Sequence, residues 1–144
     1  MNKKLCVDAS VVIKWLVNEE NSRIALNLLE VIQNNKITCY APSLIDYEVG
    51  TTLRLKVHRG LLKPRDMYAA LEFYKNLPLL MLHVTDLCFK SIPVAESLEQ
   101  PTIYDIGYLL VAQQQNADLV TADNKFYLSA RSIYPFVHNL SQYP

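Results

Sequence analysis

The chain has 144 residues, 51% of them hydrophobic, and its 14 basic side chains balance its 14 acidic side chains to a formal net charge of zero. This composition excludes a disordered or collagen-like chain, and the neutral charge supplies no compositional reason to expect nucleic-acid binding. We therefore expect one compact domain over residues 1–144, with a hydrophobic core of its own.

Short apolar runs, which predict strands, alternate along the chain with segments of helical periodicity. In chain order we expect a strand at 5–7, helices at 11–16 and 24–32, a strand at 37–40, helices at 43–59 and 64–74, a strand at 80–84, a helix from 86 towards Pro93, a helix at 102–115, a strand at 119–121, a helix at 126–132 and a strand at 136–138. Strands that alternate with helices favour a mainly parallel sheet with helices on both faces. The predicted fold class is therefore α/β, in a three-layer α/β/α arrangement.

Local signals predict where three of the helices begin or end. Ser43 and Thr102 are each followed three residues later by an aspartate, Asp46 and Asp105, a spacing that is typical of a capping box. Pro93 lies within an apolar helical segment, and proline lacks the N–H that a helix interior needs. We therefore expect helices to start at Ser43 and Thr102, and the helix that reaches Pro93 to kink or end there.

Four acidic residues lie in or beside strongly apolar segments: Asp8 in LCVDAS, Glu48 in SLIDYEVG, Asp105 in TIYDIGYLL and Asp123 in DLVTAD. A carboxylate avoids the protein interior unless it is paired, hydrogen-bonded or bound to a metal. Asp8 and Asp123 follow predicted strands, and ligands of open α/β sheets bind beyond the carboxyl ends of the strands. We therefore expect the four side chains to converge there on one or two divalent cations, Mg²⁺ or Mn²⁺, which prefer hard oxygen ligands.

Each of these carboxylates also has a simpler structural interpretation. Asp8 and Asp123 are suited to cap the helices that follow them, and Asp123 is also suited to make a turn with Asn124. Asp105 fits the first turn of a helix, where a carboxylate complements the helix dipole, and Glu48 fits an outward-facing surface position. We favour one shared cause over four independent ones.

Two hydroxyl residues stand two positions from an expected ligand, Ser10 after Asp8 and Thr121 before Asp123. Each hydroxyl is placed to orient a carboxylate or a water molecule, and a simple turn or cap bond is an equally good interpretation. Both residues are therefore candidate supporting residues of the site.

The expected location is cytoplasmic, because no segment resembles a signal peptide and the longest apolar runs are far shorter than a membrane span. The three cysteines, Cys6, Cys39 and Cys88, are an odd number in apolar surroundings and lack metal-ligand spacing. We therefore expect them to be reduced thiols in the core.

A local run of basic side chains interrupts the otherwise balanced charge. Such a run is able to contact phosphates, although we favour a solvated helix end as its role. Its members are Arg54, Lys56, His58, Arg59, Lys63 and Arg65.

Four segments together resemble PIN-domain ribonucleases, and within them VapC-type toxins of toxin–antitoxin systems. The segments are VDASVVIKWL, PSLIDYEVGTTLR, TIYDIGYLLVA and LVTADNKF, and the resemblance extends over essentially the whole chain. By matching position, it implies that Asp8, Glu48, Asp105 and Asp123 form the family's acidic quartet, with Thr121 and Ser10 as its hydroxyl residues.

The resemblance implies a cofactor, a substrate and partners as well. They are Mg²⁺ or Mn²⁺, an RNA substrate with transfer RNA among the candidates, a homodimer partner and a small antitoxin protein. The chain departs from the family pattern at Gly107 and Pro93 and in its lack of basic charge. These departures bear on substrate affinity and choice more than on the metal site.

Two other classes of function have different signatures. A phosphatase with an aspartyl nucleophile usually shows a D-x-D pattern, but Asp8 is followed two residues later by Ser10. A non-catalytic PIN-like module that binds RNA or protein is the other alternative, and its binding would survive loss of the metal and of Asp8.

Overall fold

Five strands form one sheet in residues 3–144, the part of the chain that the computed structural model describes. The order across the sheet is β3-β2-β1-β4-β5, and every neighbouring pair runs parallel. The strand order therefore reverses at β1, which confirms the predicted parallel α/β sheet. The strands are β1 (Lys4–Val7), β2 (Thr38–Pro42), β3 (Leu79–Leu82), β4 (Asp118–Thr121) and β5 (Val137–Asn139).

Seven α-helices connect and flank these strands in the described residues, in a three-layer α/β/α arrangement. A short 3₁₀ helix, Leu140–Gln142, follows the last strand. No helix within residues 3–144 is both long and apolar enough to cross a bilayer. The helices are α1 (Ala9–Leu16), α2 (Ser22–Asn34), α3 (Ile45–His58), α4 (Pro64–Lys75), α5 (Leu87–Ser97), α6 (Tyr104–Gln115) and α7 (Asn124–Ala130).

The core is centred on β1, the middle strand of the sheet. Leu5, Cys6 and Val7 have no exposed surface, which explains why this strand is a continuous apolar run instead of an alternating one. Helix α6 packs against β1, β2 and β4, and its Ile106 and Leu109 are fully buried. Each such side chain stabilises the fold by about 1.5–3 kcal/mol relative to an exposed one.

Two predicted helix starts are wrong by one or two residues. Ser43 is not the cap of α3, because the helix begins at Ile45 with Leu44 in the cap position and no side-chain cap hydrogen bond. The N–H of Ser43 instead donates to the carbonyl of Leu82 (2.9 Å) and extends the pairing of β2 with β3. Thr102 does not cap α6 either, because the first helical carbonyl belongs to Ile103, which accepts from the N–H of Gly107.

Helix α5 bears on two further expectations, those for Pro93 and Cys88. The helix continues through Pro93 to Ser97, so proline does not end it. Pro93 lies exposed on the outer side of the helix, where water can take over the hydrogen bond that the ring forbids. Cys88 is exposed as well, so only Cys6 and Cys39 are core thiols.

Candidate active site

The four acidic residues line one cavity of about 330 Å³ at the carboxyl ends of the central strands. Asp8 directly follows β1, and Asp123 lies two residues beyond the end of β4. Glu48 and Asp105 lie in the first turns of α3 and α6. The neighbouring strands β1 and β4 therefore bring two of the carboxylates to one edge of the sheet, and the two helices bring the others to it.

Asp8 is the most enclosed of the four, with 5% of its surface exposed. It precedes α1, but its side chain makes no capping hydrogen bond to that helix. Its Oδ2 instead accepts hydrogen bonds from the hydroxyls of Ser10 (2.8 Å) and Thr121 (2.7 Å). Burial raises the pKa of Asp8, and these two hydrogen bonds offset only part of that effect.

The hydroxyls of Ser10 and Thr121 are themselves held by the backbone. Ser10 Oγ accepts from the N–H of Ala122 (3.0 Å), and Thr121 Oγ1 accepts from the N–H of Asp123 (3.0 Å). A hydroxyl has one proton to donate, so these bonds leave each proton directed at Asp8. The loop after β4 therefore fixes the orientation of the Asp8 carboxylate.

Glu48 is held by a residue that the sequence analysis did not single out. Tyr108, on α6 and 1% exposed, donates from its Oη to Glu48 Oε1 (3.0 Å). Burial and then the charge of Asp8 raise the pKa of Glu48 to about 7, against the opposing effect of this hydrogen bond. The only sequence signal for Tyr108 was its position three residues after Asp105, on the same side of the helix.

Asp105 experiences the charge of the whole group. Burial raises its pKa to about 7, and the charges of Asp8, Asp123 and Glu48 contribute in that order. None of the ion pairs among the described residues involves one of the four carboxylates. None of the four carboxylates therefore has a basic ion-pair partner within residues 3–144.

Asp123 has the structural role that the simpler interpretation gave it. Its Oδ1 accepts from the N–H of Phe126 (3.0 Å), which caps α7. The same carboxylate lines the cavity and adds to the charge felt by Asp8 and Asp105. Asp123 therefore caps α7 and also belongs to the acidic group.

The donor set fits a divalent cation in its chemistry. Four carboxylates without a basic ion-pair partner in residues 3–144, and hydroxyls that already orient one of them, suit a hard cation such as Mg²⁺ or Mn²⁺. Within residues 3–144 no three acidic, histidine or cysteine side chains lie close enough together to hold a metal ion at once. Direct binding of one ion by three of the carboxylates would therefore require them to move inward across the cavity.

A second set of residues that sequence reasoning missed lies at the same cavity. Glu19 forms ion pairs with Lys14 and with Lys56, both at 3.1 Å, and all three line the cavity beside the carboxylates. Burial raises the pKa of Glu19, but the hydrogen bonds from the two lysines outweigh it and lower the pKa overall. Because Lys56 lies on α3, this group ties the loop after α1 to α3.

Comparisons with known proteins agree with one another. A family model described as PIN domain matches residues 5–131. VapC ribonuclease Mb0985 of Mycobacterium bovis and Ribonuclease VapC9 of Mycobacterium tuberculosis are each 28% identical over 119 residues, which cover 83% of this chain and 85% of the relative. The crystal structure of PAE2754 from Pyrobaculum aerophilum shares the fold, with a TM-score of 0.67 and 21% identity over 96% of this chain and 91% of that one.

Proposed function

The chain belongs to the PIN-domain family, and from this we propose that it is a metal-dependent endoribonuclease, the toxin of a VapBC-type toxin–antitoxin pair. The names of the relatives support the ribonuclease activity and the toxin class. The observation that carries the proposal is the convergence in one cavity of four carboxylates that form no ion pair with a basic side chain of the described residues. Because such a group repels itself when ionised, it favours a bound cation.

We assign the metal to Asp8, Glu48, Asp105 and Asp123. Asp8 and Asp105 are the proposed direct ligands, while Glu48 and Asp123 hold the ion through water or complete a second site. A bound Mg²⁺ or Mn²⁺ would supply the positive charge that polarises a phosphodiester and makes a nearby water molecule more acidic.

The other residues of the site act on the carboxylates. Ser10 and Thr121 hold Asp8 Oδ2 in one orientation, and Tyr108 does the same for Glu48 Oε1. This positioning limits how far the carboxylates must reorganise when the charge of the cavity changes. No histidine lines the cavity, so we assign no protein side chain as the general base.

The proposed substrate and partners follow from the toxin class. The substrate is RNA, with transfer RNA as the first candidate, and the activity is restrained by a cognate antitoxin protein. We further propose a homodimer that acts in the cytoplasm, where such RNA is found.

The test is cleavage of a mixed transfer-RNA pool by the purified protein, with Mg²⁺ or Mn²⁺ and with chelator. Asp8→Asn keeps the shape of the side chain but removes its charge, so we expect metal-dependent cleavage by the wild type and none by the variant. Circular dichroism on both proteins verifies that the variant is folded. Full activity in folded Asp8→Asn would contradict the proposed site, and RNA binding without cleavage by the wild type would favour a non-catalytic module.

A further inference from the structure

Two exposed tyrosines stand directly before two of the acidic residues. Tyr47 precedes Glu48 on α3 and is 81% exposed, and Tyr104 precedes Asp105 on α6 and is 57% exposed. Adjacent residues of a helix point in directions about 100° apart, so a tyrosine before a cavity carboxylate lies beside the cavity instead of inside it. Both rings are therefore at the rim of the acidic group.

The two tyrosines line the same surface depression, of about 470 Å³. Its other walls include the hydroxyl residues Thr51, Thr52 and Thr102. Glu48 and Asp105 line both this depression and the acidic cavity, so the two spaces meet at these carboxylates. A ligand group that binds against the tyrosines would therefore lie next to a substrate bound in the acidic cavity.

The chemistry of the depression favours a neutral aromatic ligand. Two exposed phenol rings offer flat apolar faces, and threonine hydroxyls offer both donors and acceptors of hydrogen bonds. The neighbouring carboxylates would repel an anionic group, but a nucleobase carries no charge. Lys14 and Lys56 line the acidic cavity and not this depression, so no basic side chain of the described residues lines the depression.

We propose that Tyr47 and Tyr104 form a nucleobase subsite, which stacks one unpaired base of the RNA beside the phosphodiester that is cut. The inference rests on the proposed ribonuclease function and names the form of its substrate. A base can stack on a tyrosine only when it has left its own stack, so the substrate at this point is single-stranded RNA, in a loop or a bulge. Stacking accepts any base, so the subsite gives affinity and position with little sequence preference.

Base stacking is measured most directly with a fluorescent base. The probe is a short single-stranded RNA that contains 2-aminopurine, whose emission falls when the base stacks on an aromatic ring. Binding is followed in the Asp8→Asn background with Mg²⁺, so that cleavage does not interfere. We expect the emission to fall on binding, and Tyr47→Ala or Tyr104→Ala to weaken binding by about tenfold and to reduce this quenching.

Matched variants separate stacking from other roles of the tyrosines. Tyr47→Phe and Tyr104→Phe keep the ring and should retain the affinity of their parent protein. Tyr68→Ala removes a tyrosine of α4 that is 66% exposed but lines neither cavity, and it should leave affinity and quenching unchanged. In the cleavage-competent protein the alanine variants should raise KM more than they lower kcat, because the base is bound before and during reaction.

The experiments distinguish an incorrect subsite from an incorrect ribonuclease proposal. Metal-dependent cleavage with unchanged affinity and quenching in both alanine variants overturns the subsite and leaves the ribonuclease in place. Tyrosine-dependent quenching without cleavage by the wild type supports the subsite and overturns the ribonuclease. Alanine variants that bind RNA normally but change the elution volume in size-exclusion chromatography overturn the subsite in favour of a protein interface.

Discussion

Tyr108 on α6 donates a hydrogen bond to Glu48 on α3, with 3.0 Å between Oη and Oε1. The two residues are 60 positions apart, and the tyrosine is 1% exposed. This bond favours the ionised form of Glu48, whose pKa burial and the charge of Asp8 raise to about 7. Tyr108 therefore opposes protonation of Glu48, which we propose as a metal ligand, near neutral pH.

Replacement of Tyr108 by phenylalanine should weaken metal binding most strongly below neutral pH. Without the hydrogen bond the pKa of Glu48 rises further above about 7, so protons compete with the metal over a wider pH range. Calorimetric titration with Mg²⁺ should show an affinity deficit that is large near pH 6 and shrinks as the pH rises. A deficit of equal size at every pH would show that Tyr108 acts only through packing.

The metal-free protein should lose stability as the pH rises towards neutrality. The pKa values of Glu48 and Asp105 are raised to about 7, from 4.5 and 3.8. In that pH window the unfolded chain releases protons that the folded protein retains, so the free energy of unfolding falls with rising pH and levels off above about 7. Urea unfolding in chelator at a series of pH values measures this trend.

The variant Asp105→Asn tests the origin of that trend. We expect it to stabilise the metal-free protein at about pH 8 by about 1–2 kcal/mol, after a discount for solvent screening, and to have little effect near pH 4. The same variant should gain less stability from added Mg²⁺ than the wild type does. A variant that is less stable than the wild type in chelator at the higher pH would contradict the account.

Thr121→Val should destabilise the protein and loosen Asp8. The side chain of Thr121 is fully buried, and its hydroxyl donates to Asp8 Oδ2 at 2.7 Å. Valine has nearly the same shape, so the loss is that of a hydrogen bond to a charged group, about 1.5–3 kcal/mol. The variant also removes the acceptor of the Asp123 N–H, which adds to the loss. Thermal unfolding measures the sum, and Thr85→Val, at an exposed position, is the matched control. Equal stability of both variants would contradict the assigned role.

Glu19→Gln should weaken the contact between the loop after α1 and helix α3. Glu19 pairs with Lys14 and Lys56 at 3.1 Å, and its side chain is 29% exposed. For such a partly exposed network we expect a loss of about 1 kcal/mol, smaller at high salt. A double-mutant cycle with Lys56→Met measures the pairwise part. A coupling energy of zero at low salt would indicate that the contact adds no stability.

Gly107→Ala should stabilise the fold. A Cβ at this buried position of α6 would meet Leu44 at 3.5 Å and Pro42 at 3.9 Å, which are ordinary van der Waals contacts. Alanine in a helix interior is more favourable than glycine by about 0.5–1 kcal/mol. Gly50→Ala, on α3 with no neighbouring atom within 4 Å, is the companion variant and should show a similar gain in chemical denaturation. A loss of stability at Gly107 alone would show that α6 cannot shift to accept the methyl group.

Much of the fold followed from local patterns. The apolar run of β1 and the alternation of strands with helices predicted a parallel α/β sheet, because a strand buried on both faces has few polar positions. The positions of Asp8 after a strand and of Asp105 in a first helical turn were also correct as local assignments. That these carboxylates approach one another was expected because parallel strands present their carboxyl ends at one edge.

The errors have a common physical source. Ser43 continues the pairing of β2 with β3 through the carbonyl of Leu82, which is 39 positions away in the chain, and α3 begins only at Ile45. Cys88 is on an exposed part of α5, and the sequence showed only that its neighbours are apolar. Local sequence propensity does not show which distant residue a backbone group will bond to, or which side of a helix will face water.

The sequence by itself determined the parallel sheet and which carboxylates are near its carboxyl edge, since strand and helix periodicity are local properties of the chain. Tertiary structure alone decided the contacts of the site other than the local bonds of Ser10 with Asp8 and of Asp123 with α7. The Tyr108 bond to Glu48, the hydroxyl of Thr121 on Asp8 and the lysines on Glu19 join residues 60, 113, 5 and 37 positions apart. Hydrogen-bond and ion-pair geometry depends on distances of a few ångströms, and only the packing of whole elements sets these.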